Sequence, residues 1–147
     1  MRCRQNNCIR GVDTSTALVS TLAGNAAMSG AADGVGTDAQ FFLPYSIAMD
    51  ADSTFAVVVS AGKDFWAEPR DSWPLPPTQA DALNDRIRVL NMANLAVTTL
   101  AGSGPGYADG QGTAALFSLP ASVAMDAAGS FVLVGGEFCL GRPPLQH

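Results

Sequence analysis

Apolar and polar positions along this chain fall into short runs punctuated by turn-forming residues. Residues 46–49 (SIAM) and 55–59 (FAVVV) are β-rich and are separated by Asp50-Ala51-Asp52-Ser53, a composition that marks a turn between strands. Residues 86–90 (RIRVL) alternate polar and apolar, as a half-buried strand does. A turn at 91–94 precedes a fourth strand at 96–100 (AVTTL). No stretch carries sustained helical periodicity with caps. The pattern predicts an all-β chain of short strands.

The chain also matches itself. Residues 33–50 (DGVGTDAQFFLPYSIAMD) align with 109–126 (DGQGTAALFSLPASVAMD) at an offset of 76, with 12 of 18 positions identical. Residues 19–24 (VSTLAG) align with 97–102 (VTTLAG) at an offset of 78, and the same offset pairs Asn6, Ile9 and Arg10 with Asn84, Ile87 and Arg88. A repeat of this order outweighs any local signal. It divides the chain into a half unit at 6–24, a full unit at 46–101 and a half unit at 122–134. Four short antiparallel strands per unit describe β-propeller blades.

The string Arg86-Ile87-Arg88-Val89, followed by VTTLAGSG and GYADGQGTAALFSLPASVAMDAAGSFVLV, resembles the NHL-repeat family over residues 6–134. The resemblance implies a propeller, commonly six-bladed. Two departures stand out. Ser60-Ala61 and a long insertion at 62–83 replace the short turn usual in family repeats. After Val134 the third copy gives way to Gly135-Gly136-Glu137-Phe138-Cys139, so 135–147 is expected to be an irregular tail.

Eight predicted strands make two blade-equivalents, and a propeller protects its blades by closing a ring. Residues 1–134 are therefore expected to be a propeller fragment, with the remaining blades outside this chain. Closure by oligomerisation is the alternative. Taken alone, unclosed blades expose apolar faces and strand edges.

Charge narrows the partners. The net charge of −5 disfavours nucleic acid, because surfaces that wrap phosphate carry excess Lys and Arg. No apolar run approaches the roughly 20 residues of a membrane-spanning helix. Cys3, Cys8 and Cys139 lack metal-ligand spacing. Gly102, Gly104, Gly106, Gly110 and Gly112 have no Gly-Lys-Ser/Thr step, so they read as loop residues with φ > 0 and not as a phosphate cradle. Asp33 and Asp109 recur in Ala-Asp-Gly-x-Gly-Thr, and Asp50 and Asp126 end strands. One acid per repeat reads as a turn former, not as a hydrolytic pair or a calcium loop. The one histidine, His147, offers no nucleophile–base pair. No catalytic, metal or cofactor residue is assigned, and no cofactor is expected.

The insertion holds Phe65, Trp66, Arg70 and Trp73. In a meander it shares an end with the loops that join successive units, where Tyr107 stands. Trp, Tyr and Arg are the residues that dominate binding hot spots. These five form the candidate partner-binding patch; its alternatives are a loop that packs its own aromatics on the blade and a segment foreign to the fold. The sequence thus points to a non-catalytic scaffold that binds another protein. Its rivals are a fragment of a lactonase- or amidating-lyase-like propeller enzyme and an RNA-binding NHL propeller.

Overall fold

The computed structural model describes residues 6–60 and 84–136. Across them the chain is all-β. Its strands are β1 (Cys8–Val12), β2 (Val19–Gly24), β3 (Gly34–Val35), β4 (Pro44–Met49), β5 (Phe55–Ser60), β6 (Arg86–Asn91), β7 (Ala96–Ala101), β8 (Pro120–Met125) and β9 (Val132–Gly136). Single 3-10 turns stand at Gly36–Asp38 and Gly112–Ala114.

Strands β4, β5, β6 and β7 form an antiparallel meander, extended at its β7 edge by the two residues of β3. The strands expected between 46 and 101 are these four, in that order. β1–β2 and β8–β9 are separate two-stranded antiparallel sheets. One boundary differs from expectation. Gly135 and Gly136 belong to β9, paired with Ser122 and Pro120, and are not part of an irregular tail. The pairing continues because a register shift between Pro120 and Ser122 lets β8 follow the strand past Val134.

Alternation places the core. Val58, Leu90 and Val97 point to one side of the central sheet, where they pack with Ala23 and Phe41. Val57, Val59 and Ile87 point to the other side, towards Phe117, Val123 and Met125. Residues 56–60 of β5 are fully buried, because the strand has neighbours on both edges and apolar layers on both faces. That explains why FAVVV reads as a continuous apolar run and not as an alternation. Each valine so buried contributes about 1.5–3 kcal/mol of transfer free energy.

Polar side chains close the turns. Asp50 accepts from the Thr54 hydroxyl at 2.6 Å and the Phe55 amide at 2.9 Å. Asp126 does the same for Ser130 at 2.8 Å and Phe131 at 2.7 Å. Asn91 accepts from the amides of Ala93 and Asn94. These are the self-bonding turn residues that the sequence pattern requires.

The repeat extends to backbone irregularities. A register shift separates Ile9 from Arg10 in the β1–β2 pairing and Ile87 from Arg88 in the β6–β7 pairing. Leu43 and Leu119 take φ of 46° and 47°, and Ala17 and Leu95 take 59° and 57°. Non-glycine residues rarely adopt such angles. Their recurrence at offsets of 76 and 78 shows that the repeats share one backbone path.

The packing makes a testable statement. Phe41 is fully buried, so Phe41→Ala should cost about 3–5 kcal/mol in chemical denaturation. Leu18→Ala, at a side chain 67% exposed, should stay within about 0.5 kcal/mol. Equal effects would contradict this placement of the core.

Candidate binding face

Three connections meet at one end of the central sheet. β5 finishes at Ser60, which pairs with Arg86 at the start of β6, so both ends of the 61–83 connection lie there. Ser60 also pairs with Pro44, where the 25–43 connection enters β4. Ile87 pairs with Ala101, where β7 leads into the 102–119 connection. Tyr107 stands on that last connection and is 96% exposed. Phe65, Trp66, Arg70 and Trp73 lie outside the described residues.

The 25–43 connection is held by an ion pair that sequence reading assigned differently. Arg88 of β6 is completely buried, and its guanidinium reaches Asp33 at 2.7 Å. Its Nε donates to the same carboxylate at 3.1 Å. Nη1 donates to the Gln40 carbonyl and Nη2 to the Ala32 carbonyl, each at 3.0 Å. The guanidinium also lies 5.2 Å from the centre of the Phe41 ring, within cation–π range. Asp33 completes the bridge by accepting from the Thr99 amide and hydroxyl of β7, both at 3.0 Å.

Asp33 is therefore not a local turn former, as its Ala-Asp-Gly context suggests. Its partners lie 55 and 66 residues away. The competing principle is the cost of an unpaired buried cation, which draws the nearest carboxylate. The signal for this cluster was present in the sequence, because Arg10 and Arg88 recur with Asp33 and Asp109. The link between them was not, because it joins residues 55 positions apart in the sequence.

Asn84 and Asp85 carry further links. The Asn84 amide donates to the Gly30 carbonyl at 2.6 Å, and Asp85 accepts from the Leu119 amide at 3.0 Å. Both side chains are buried. Thus the two residues before β6 bind the connection that enters the central sheet and the connection that leaves it.

The glycines follow their loop reading in part. Gly102, Gly106 and Gly112 have positive φ, whereas Gly104 and Gly110 do not. A Cβ on Gly110 would lie 2.8 Å from the Ala114 backbone, so close approach fixes that position instead of backbone hand.

Beside Tyr107 the 102–119 connection opens into a cleft of about 700 Å³, lined by Ala108, Asp109, Leu116, Phe117 and Val134 among others. Its backbone is ordered by the same bonds as the 25–43 connection. The Leu116 amide donates to Ala108 at 3.0 Å, as the Gln40 amide donates to Ala32 at 2.9 Å.

The carboxyls of Asp13, Asp33, Asp50 and Asp126 are held below their usual value. Burial pushes the Asp33 carboxyl up, but the Thr99 amide, the Arg88 charge and the Thr99 hydroxyl outweigh it and hold its pKa below the usual carboxylate value. The Thr54 hydroxyl and Phe55 amide hold Asp50 down, and the Phe131 amide and Ser130 hydroxyl hold Asp126 down. Ser15 and Thr16 lower Asp13 to about 2. Burial lowers the Arg88 guanidinium, and Asp33 opposes that.

No protein-family model matches the sequence, and no curated protein matches it. Solved structures do. A protein of unknown function from Bacteroides thetaiotaomicron superposes with a TM-score of 0.66 at 16% identity, over 90% of this chain and 28% of its own. An auxiliary nutrient-binding protein from Bacteroides ovatus superposes with a TM-score of 0.55 at 24% identity, over 90% of this chain and 30% of its own. Likeness at this identity speaks to the fold. The chain spans less than a third of the length of either neighbour.

The lowered carboxyls fix a pH dependence. Groups with depressed folded pKa stabilise the fold fully above their unfolded value of about 3.9 and lose that contribution as pH falls through the folded value. The urea midpoint should therefore change little from neutral pH to about pH 5 and fall steeply below about pH 4. Asp13→Asn should reduce the drop. A midpoint that rises on acidification would contradict the assignment.

Proposed function

We propose that the chain is part of an NHL-type β-propeller scaffold whose loop end binds another protein. The observation that carries this reading is that the 25–43 and 102–119 connections reach the central sheet at one end, beside Ser60 and Arg86, with Tyr107 almost fully exposed on the second of them. An aromatic left in water forgoes roughly 1.5–3 kcal/mol of burial, so its retention on a loop tip favours a surface that a partner covers.

A non-catalytic role fits the way the acids are used. Asp13, Asp50 and Asp126 bond their own turns, and Asp33 bonds Arg88 and Thr99. Each of these four carboxylates is committed to holding backbone or a fixed cation. The propeller reading draws support from the repeat and from face-to-face packing of successive sheets.

A benzophenone amino acid placed at Tyr107 tests the binding face directly. Photolysis with the partner mixture should give a product whose mass is not a multiple of the chain's own. The same group at Asp52, in the turn at the opposite end of the sheet, should not. Once that partner is isolated, Tyr107→Ala should weaken its binding about 30-fold, the roughly 2 kcal/mol of a hot-spot residue, without shifting the thermal midpoint. Equal crosslinking at both positions would sink the proposal.

A further inference from the structure

The cleft beside Tyr107 has an internal counterpart that is already filled. Subtracting the repeat offset of 76 from Ala108, Asp109, Leu116 and Phe117 gives Ala32, Asp33, Gln40 and Phe41. Those are the residues that hold the buried Arg88. In the second loop the same carbonyls, carboxylate and ring surround open space. Among the described residues Asp109 has no hydrogen bond or ion pair, and it is exposed.

The group that fits this space is present elsewhere on the chain. β1 carries Ile9-Arg10 where β6 carries Ile87-Arg88, and β2 carries Thr21 where β7 carries Thr99. β1 and β2 already pair as β6 and β7 do, with the register shift at the same residue. Arg10 is exposed and, among the described residues, bonds to nothing. β1 pairs only with β2, and β9 only with β8, so each keeps a free edge within the described residues.

We propose that the chain associates head to tail with a second copy of itself, the β1–β2 hairpin of one copy adding to the β9 edge of the next and placing Arg10 in the Asp109 cleft. Transposing the β5–β6 register gives the pairing. Val58 faces Arg88 and Ser60 faces Arg86, so Val134 faces Arg10 and Gly136 faces Cys8 of the incoming copy. Arg10 then donates to Asp109 and to the carbonyls of Ala108 and Leu116, above the Phe117 ring. The Thr21 amide closes the bridge on Asp109, as Thr99 does on Asp33.

Apolar surface agrees with this pairing. Ile47 and Met49 are about half exposed, whereas their repeat equivalents Val123 and Met125 are packed against the central sheet. Leu133 is 63% exposed, whereas its equivalent Val57 is fully buried. In the assembly Leu133 of one copy lies on the side that Ile47 and Met49 of the next present. Both unmatched faces are covered at once. The contact is heterologous, so each copy retains one donor and one receptor, and growth ends only if a ring closes. This inference rests on the equivalence of the repeats and needs no partner other than the chain itself.

Charge reversal tests it. The full chain should sediment above its monomer mass at micromolar concentration. Arg10→Glu and Asp109→Arg should each weaken self-association at least tenfold, with unchanged far-UV circular dichroism, because neither side chain bonds another described residue of the monomer. Mixed in equal amounts, the two variants should regain mass, since Arg10 of one still meets Asp109 of the other. Asp109→Asn serves as an isosteric second variant and should weaken association without altering shape. A wild-type monomer at every concentration would overturn the proposal. So would association indifferent to all three substitutions, or a mixture that stays monomeric. Photocrosslinking at position 107 to a different protein is independent of each of these outcomes.

Discussion

A guanidinium that no water reaches must find its hydrogen bonds inside the protein, and Arg88 finds them on the connection that leads into its own sheet. It sits on β6, yet its partners belong to the connection that precedes β4. Removing an ion from water costs several kcal/mol, which is offset only when geometry and further bonds are good. Here a carboxylate, two carbonyls and an aromatic face supply them. The bridge pins the 25–43 connection, and that connection lays β3 along the outer edge of β7. The connection that leaves β2 is thereby clasped to the central sheet by polar bonds, beside the apolar layers between the sheets.

The apolar layers show what each sheet requires of its neighbours. β5 has neighbours on all sides and is buried from Ala56 to Ser60. β4 and β8 carry matching sequences, but their apolar residues differ in exposure according to what covers them. Position in the array, and not composition, sets burial. That is the behaviour of repeat proteins, whose stability is shared between units and the interfaces that join them.

Much of this arrangement was legible in the residues. The four strands of the central sheet followed from short β-rich runs and the turn residues Asp50 and Asn91, because those signals act over a few residues. The repeat boundaries followed from direct alignment. The features without a local signal are long-range. Asp33 reads as a turn residue because Ala-Asp-Gly is a turn composition, and nothing near it reveals a cation 55 residues on. β3 is only two residues long and borrows its pairing from β7, so no periodicity marks it. The extension of β9 through Gly135 and Gly136 was hidden for a similar reason, since glycine carries no strand signal. Of the candidate site, Tyr107 is placed as expected on an exposed loop. Phe65, Trp66, Arg70 and Trp73 stay with the sequence argument alone.

Arg88 and Asp33 act as one unit that pins the 25–43 connection to the central sheet. A double-mutant cycle measures this most directly, using Arg88→Met, Asp33→Asn and the pair of substitutions together, with unfolding free energies from urea titration at neutral pH. The account predicts that each single change is costly, that the double change costs much less than their sum, and that the coupling is about 1–3 kcal/mol. Additivity within about 0.5 kcal/mol would contradict it.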